Sequence, residues 1–405
     1  RTYGGVRGRE LITPSYSIVV VLLMGNYHYL FNNHAKLVND GTAVITKEQL
    51  EGNEILALDG NWSFYPNALL APEEVHKEAH TFINVPSDWK NAVQPNEEGL
   101  SVGTYHIRLH VPNDEQYGLY IRTIRQANRL FINDIEVGGM GNPTHTATEF
   151  IPESDDRYTV FVQSPSGVLD IVIHVANLNY SEAGILYPIE FGTKEAIEKH
   201  YQLKVLVNIV ISVCYIIFGV IYIISYSQNL QRKEELFFGL FAVLFGVYMS
   251  FINEKIFFLL FTNFSIYEQG RLQLGILPLL VFCLTHFVYC MYPQLVRKNI
   301  LYFIYMLLAV LFIVYGVNEK VPTTINGVFF YQLIFVVAMF LSALYSIFIL
   351  FNVLRKKLDG AFYIFIILTS LVCYMILLMI NFLTGMPINL TELLVFILIL
   401  YSFAS

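Results

Sequence analysis

The chain has 405 residues, of which 55% are hydrophobic and only 14% are charged. Soluble globular proteins carry about 25% charged residues, so this composition excludes a chain that is soluble throughout. The net charge of −7 argues against a nucleic-acid partner, because nucleic-acid-binding domains present basic surfaces.

Residues 1–34 carry the pattern of an export segment. Arg1, Arg7 and Arg9 precede a short apolar stretch, Ile18 to Met24. A basic flank followed by a short apolar core is typical of a secretory signal peptide. We predict that residues 1–34 form either a signal peptide or an uncleaved N-terminal anchor, and both interpretations place the following residues outside the cell.

Residues 35–192 follow the period of β-strands. Thr104 to Val111 and Leu169 to Val175 alternate between apolar and polar residues, as half-buried strands do. Asn133 and Asp134 separate two further apolar stretches, and both residue types tolerate positive φ, which predicts a two-residue hairpin turn. Short strands with turns at this spacing predict a β-sandwich or jelly roll.

The segment Leu203 to Tyr226 predicts the first membrane span. It has about 24 residues with Lys204 as its one charge, and about 20 apolar residues suffice to cross a bilayer. Thr193 is a candidate helix N-cap, and neither Gly nor Pro interrupts the juxtamembrane segment 193–202. We therefore predict one helix from about Lys194 to Tyr226, with a break at the membrane surface as the alternative.

Residues 203–405 contain further apolar segments. We predict that this region forms an all-α bundle of seven transmembrane helices. Beyond the first, the segments are about Leu236–Asn253, Leu272–Met291, Ile300–Val317, Val328–Leu354, Ala361–Thr384 and Leu393–Ala404. Basic residues concentrate in alternate loops, at Arg232, Lys233, Arg297, Lys298, Arg355, Lys356 and Lys357. By the positive-inside rule these loops and the C-terminus are cytoplasmic, so we predict a multi-pass plasma-membrane protein whose β domain is extracellular.

Cysteine usage and short motifs indicate a bacterial exported domain without catalytic chemistry. Cys214, Cys283, Cys290 and Cys373 all lie in apolar segments after residue 200. A disulfide-free outer domain is ordinary in bacteria and unusual in secreted animal proteins. The sequence contains no nucleophile elbow, HExxH, phosphate-binding loop or dinucleotide fingerprint, so we predict no enzyme, metal or cofactor site within this chain.

An ordered series of motifs carries a family resemblance. The series is GNWSFYPNALL, VPSDWKN, GTYHIRLHVP, LYIRTIRQANRLFINDIEVGGMGNP and IVIHVANLNYSEAGI, beginning at Gly60, Val85, Gly103, Leu119 and Ile171. It resembles the galactose-binding-like jelly roll, of the second extracellular type, of bacterial 7TMR-DISM receptors (seven-transmembrane receptors with diverse intracellular signalling modules). It is also similar to the sugar-binding domain of family-2 glycosidases. The series departs from the pattern at Asp134, where Gly is usual.

The resemblance implies a bacterial receptor that senses an extracellular small molecule, with carbohydrate as one candidate class. It implies that the seven helices transmit the signal to a cytoplasmic output module, a histidine kinase first and a diguanylate cyclase second, of which this chain holds no part. It also implies a homodimer as one form of assembly, besides the bilayer as a partner. Two alternatives stay open: a transporter or channel with an extracellular cap, and a membrane-anchored carbohydrate-binding protein.

Aromatic and planar polar side chains of the β domain are the candidate ligand contacts, because sugars stack on rings and bond to polar groups at the rim. The candidates are Trp62, Trp89, Tyr105, Arg108, Tyr120, Arg122, Arg125 and Tyr180. Core packing is the alternative for the aromatic residues, and solvation or ion pairing is the alternative for the arginines. The polar stripe His106, Arg108 and His110 faces either a ligand cleft or solvent.

Polar groups within the spans are candidates for signalling, because they are costly to place in hydrocarbon. His286 and Asn381 are such residues, with an interhelical hydrogen bond as the alternative for His286. Pro278 removes one backbone hydrogen bond from its helix and predicts a kink. Glu254 and Lys255, at the end of the second predicted span, are expected to reach the outer membrane interface.

Overall fold

The computed structural model describes residues 34–35, 38–89, 92–113, 115–122, 124, 126–153, 157–178, 183–251, 254–261, 264, 266–317 and 325–355. Several predicted features lie outside these ranges: the export segment, Arg125, Tyr180, Asn381 and the last two spans. The β unit, as used below, is the described part of the chain from 34 to 193.

Two sheets make up the β unit. Its strands are β1 (His34–Ala35), β2 (Thr42–Val44), β3 (Leu56–Ala57), β4 (Gly60–Pro66), β5 (Thr81–Val85), β6 (Leu100–His110), β7 (Gln116–Ile121), β8 (Ala127–Ile132), β9 (Ile135–Met140), β10 (Tyr158–Gln163), β11 (Val168–Leu178) and β12 (Glu190–Thr193). The first sheet has the order β1-β3-β12-β7-β10, and the second has the order β5-β4-β6-β11-β8-β9 with β2 parallel to β6. Residues of both sheets contribute to one hydrophobic core.

The antiparallel pair β6–β11 is the centre of the second sheet. Ile107 lies opposite Ile171 and Tyr105 lies opposite Ile173, and all of these side chains are buried. Because successive side chains of a strand point to opposite faces, the intervening residues point to the outer face, where Thr104, His106 and Val172 are covered as well. The alternation predicted for both strands is confirmed.

Asn133 and Asp134 form the predicted hairpin turn between β8 and β9. Their φ angles are 49° and 68°, and Ile132 pairs with Ile135 on either side of them. A two-residue turn with both residues at positive φ matches the twist of the flanking strands. Asp134 thus occupies a left-handed position that aspartate tolerates better than most residues.

A helix of 35 residues, α1 (Lys194–Gln228), begins directly after β12. The Thr193 side chain accepts a hydrogen bond from the Ala196 backbone N–H at 3.3 Å, which satisfies one of the free donors of the first turn. The cap and the uninterrupted helix predicted from the sequence are both present.

The other described helices are α2 (Lys233–Phe251), α3 (Ile256–Leu260), α4 (Ile266–Met291), α5 (Lys298–Leu311), which continues into a π-helical turn at Phe312–Val317, and α6 (Ile325–Arg355). Among the described residues, three helices are long and apolar enough to cross a membrane: Lys194–Gln228, Lys233–Phe251 and Glu268–Met291. Pro278 lies inside α4, which runs through it from Ile266 to Met291.

Small residues bring α1 and α2 into backbone contact. A Cβ atom added to Gly219 would lie 2.6 Å from the carbonyl oxygen of Gly239. A Cβ atom added to Gly239 would lie 2.8 Å from the carbonyl oxygen of Gly219. Such close approach is typical of small-residue interfaces between membrane helices.

Candidate functional site

The predicted aromatic contacts Trp62, Trp89 and Tyr105 lie in the core of the β unit. Their exposed fractions are 0%, 1% and 0%. The Trp89 ring stacks on the Tyr105 ring with 5.8 Å between centroids, and Trp62 Nε1 donates to the Leu58 carbonyl at 2.9 Å. The rings therefore pack inside the fold, and contact with an external ligand would require the core to open.

The remaining described candidates fall in two places. Arg108 lies on the outer face of the second sheet, on β6. Tyr120, on β7, lies where the first sheet meets α1, and it belongs to a small buried cluster with Ile197. Arg122 follows β7 and its Cζ lies 4.7 Å above the centre of the Tyr187 ring. The structure thus separates Arg108 from Tyr120 and Arg122.

Four polar side chains meet on the outer face of the second sheet, and we name them the outer-face cluster: His76, His106, Arg108 and Asp170. Asp170 Oδ1 lies 2.7 Å from His106 Nε2, and Asp170 Oδ2 lies 2.7 Å from His76 Nε2. Arg108 Nε lies 3.4 Å from Asp170 Oδ1. Strand register sets this arrangement, because Arg108 is directly opposite Asp170 in the β6–β11 pair.

The environment of Asp170 holds its carboxyl group ionised. Burial alone would raise its pKa, but hydrogen bonds from His106, His76 and Arg108, together with the charge of His106, hold the pKa well below its usual range. A groove of about 360 Å³ runs beside the cluster, lined by Arg108, His110, Asn133, Asp134, Ser166, Val168 and Asp170. The polar stripe predicted on β6 therefore borders a groove, and its polar groups can hydrogen-bond a small hydrophilic molecule.

A second set of buried polar groups, the junction cluster, connects the β unit to the helices. It consists of Tyr120, Arg157, Glu190, His200, Lys204 and Glu254. Lys204 Nζ lies 2.8 Å from Glu190 Oε1, and His200 Nε2 lies 2.7 Å from Glu190 Oε2. Burial would raise the Glu190 pKa, but the hydrogen bond from His200 and the charge of Lys204 lower it to about 2. The last strand and α1 are thus held together by buried charges.

Glu254 is the member of the junction cluster that lies between α2 and α3. The Tyr120 hydroxyl donates to Glu254 Oε2 at 2.7 Å, and Arg157 Nε lies 3.9 Å from the same oxygen. Lys204 Nζ lies 4.6 Å from the centre of the Tyr120 ring. Burial, followed by the Glu254 charge, raises the pKa of Tyr120 above its ordinary value.

Glu254 and Lys255 follow the end of α2, and their expected position at the outer membrane interface stays a prediction. Their exposed fractions are 6% and 8%, and Glu254 contacts the β unit. The Tyr120 hydroxyl and the nearby Arg157 guanidinium offset part of the cost of burying the Glu254 carboxylate.

His286 forms the interhelical hydrogen bond that the sequence analysis gave as its alternative role. Its Nδ1 lies 2.7 Å from the Tyr305 hydroxyl, which connects α4 to α5. The Phe237 ring of α2 lies against the His286 ring, with 3.9 Å between centroids. His286 therefore joins three helices.

The sequence does not predict that the members of either cluster come together. The spacing of His200 and Lys204 places them on one helix face, and a lysine inside an apolar segment was a usable indication. Asp170 is a polar residue in a strand whose alternation the sequence predicts, so its position on the outer face is predictable. His76 gave no indication, because it lies in the loop between β4 and β5 and only the fold brings it to Asp170.

No family model matches the chain, and no curated protein matches it. Among solved structures, the β-glucuronidase of Ruminococcus gnavus matches at 16% sequence identity with a TM-score of 0.25, over 34% of this chain and 28% of that chain. A β-glucuronidase of an uncultured Clostridium sp. matches at 15% identity and a TM-score of 0.25, again over 34% of this chain and 28% of that one. The chain thus spans less than a third of the length of these enzymes. A TM-score of 0.25 does not establish a shared fold.

Proposed function

We propose that this protein is a bacterial receptor of the 7TMR-DISM type, located in the plasma membrane. In this proposal residues 35–192 form an extracellular jelly-roll sensor and residues 203–405 form seven transmembrane helices. The motif series in the β region, the distribution of basic loop residues and the three long apolar helices support it. A signalling module of histidine kinase or diguanylate cyclase type would receive the signal at the cytoplasmic side.

The observation that carries this proposal is the rigid connection between the β unit and α1. The helix begins at the residue after β12, so no flexible linker separates the sheet from the first span. At a rise of 1.5 Å per residue, a 35-residue helix extends over about 52 Å, enough to reach across a bilayer. A shift of β12 would therefore move the far end of α1.

The junction cluster makes this connection stiff on two sides. Glu190 fixes the second turn of α1 and the turn after it through His200 and Lys204. Tyr120 fixes the α2–α3 segment through Glu254. A ligand-induced change in the sheet would reach two neighbouring helices together, and packed helices with two alternative arrangements convert such shifts into a switch.

For the ligand, the outer-face groove is the best supported site among the described residues. Its polar lining includes Arg108, Asp134 and Asp170, which suits a small hydrophilic molecule, with carbohydrate as one class. Trp62, Trp89 and Tyr105 take no part in this site, because they are buried in the core.

The experiment that tests the proposal is an insertion of three glycines after His200 in a full-length protein that carries its output module. The insertion interrupts α1 between the two residues that hold Glu190, and we expect ligand-dependent output to be lost while the protein stays in the membrane. The matched control is the same insertion after His145, in the exposed loop that follows β9, which should leave output intact. Unchanged signalling with the His200 insertion would refute transmission through α1.

A further inference from the structure

The outer-face cluster, beside the proposed ligand groove, contains three side chains of the types that bind metal ions. One ring nitrogen each of His76 and His106 and a carboxylate oxygen of Asp170 all lie within 4.8 Å of one another. His106 and Asp170 stand on the paired strands β6 and β11, so the sheet fixes their separation. His76 approaches from a loop, with 41% of its side chain exposed.

Two contacts of His76 Nε2 make opposite demands on the proton of that nitrogen. Its Nε2 lies 2.7 Å from Asp170 Oδ2, a contact that requires a proton on that nitrogen. The same Nε2 lies 2.9 Å from Arg108 Nη2, and a guanidinium has only N–H donors, so this contact requires a lone pair there. One ring nitrogen cannot meet both requirements at once.

A bound metal ion would resolve this conflict. Its ligands would be Nε2 of His76, Nε2 of His106 and a carboxylate oxygen of Asp170. Arg108 would then move away from the ion, and its side chain is 40% exposed, which leaves it room to do so.

We propose that His76, His106 and Asp170 bind a divalent transition-metal ion of the zinc type. Two imidazoles and one carboxylate are a donor set that zinc and its neighbours prefer, whereas calcium and magnesium favour oxygen ligands. Three protein ligands leave a fourth tetrahedral position, which a water or an oxygen of a ligand in the adjoining groove would fill. The inference goes beyond the receptor proposal and does not depend on it.

The test is a titration of the full chain, purified in detergent micelles and stripped of metal with a chelator, with zinc sulfate at pH 7.5. Isothermal calorimetry should give one ion per chain, and zinc should raise the thermal unfolding temperature, because it binds the folded state. His106→Ala and Asp170→Asn should each weaken zinc binding at least tenfold. The matched control is His145→Ala, an exposed histidine in the loop that follows β9, which should bind zinc as the wild type does.

Arg108→Ala distinguishes a metal site from a simple ion-pair network and keeps all three ligands. Removing the guanidinium removes a competing positive charge, so zinc affinity should rise at least threefold. The proposal is overturned if the wild type binds no zinc, if the His106 and Asp170 variants bind as tightly as His145→Ala, or if Arg108→Ala binds zinc more weakly than the wild type. Melting curves without zinc confirm that each variant is folded before titration.

Discussion

Lys204 and Glu190 form a buried ion pair between the first predicted membrane span and the last strand of the β unit. Their side chains are 7% and 6% exposed, and Nζ lies 2.8 Å from Oε1. Burying two charges is costly, so the pair itself need not stabilise the fold strongly. Removing one partner, however, leaves the other charge buried, which makes the geometry of the junction sensitive to single substitutions.

Lys204→Met should therefore destabilise the protein by about 3 kcal/mol, because it leaves the buried Glu190 carboxylate without its cationic partner. The double variant Lys204→Met with Glu190→Gln should be less destabilised than the sum of the two single variants. Lys199→Met, at an exposed position of the same helix, should change stability by less than about 0.5 kcal/mol. Thermal unfolding of the full chain in micelles compares the two single variants, the double variant and Lys199→Met with the wild type. A melting temperature for Lys204→Met equal to that of Lys199→Met would show that the ion pair does not stabilise the junction.

Stability should fall with acid in a way that depends on Asp170 and Glu190. The pKa values of both carboxyl groups are lower in the folded protein than their ordinary values. Each therefore contributes stability that is fully present above about pH 4, the ordinary range of carboxyl groups, and is lost as the pH falls below it. Melting temperatures between pH 6 and pH 3 should drop less steeply for Asp170→Asn and Glu190→Gln than for the wild type.

Asp134→Asn is the control for this acid series, because Asp134 lies in the exposed hairpin turn. It should keep the full slope of the wild type. An equal slope for all three variants and the wild type would show that other groups cause the acid sensitivity.

Tyr120→Phe tests the contact between the β unit and the α2–α3 segment. The substitution removes the hydrogen bond to Glu254 Oε2, leaving the buried carboxylate without its hydroxyl donor, and should cost about 1–3 kcal/mol. Hydrogen exchange should increase in the segment 254–261, the part that Glu254 holds against the sheet. Tyr187→Phe, at a side chain that is 38% exposed, is the control, and matching exchange in both variants would argue against a coupling role for Tyr120.

Local features of the fold were predictable, and long-range ones were not. The faces of β6, the Asn133-Asp134 turn and the Thr193 cap each depend on residues within a few positions of one another, so period and residue type suffice. The contacts His76–Asp170 and Tyr120–Glu254 join residues 94 and 134 positions apart, and only the tertiary fold brings them together. For the same reason the sequence left two roles open for Trp62 and Trp89, ligand contact and core packing, and the structure shows core packing.

The contact between α1 and α2 should depend on glycine at position 219. Gly219→Ala would place a methyl group 2.6 Å from the Gly239 carbonyl oxygen and 2.7 Å from the Val243 backbone nitrogen. Backbone atoms cannot give way without moving the helix, so we expect the two helices to separate and the melting temperature to fall by several degrees. Gly270→Ala in α4 meets no atom within 4 Å and should be neutral or slightly stabilising, since alanine favours helices. If Gly219→Ala is as stable as Gly270→Ala, the two helix backbones do not touch at this point, and α1 would have to transmit any shift to α2 through side chains alone.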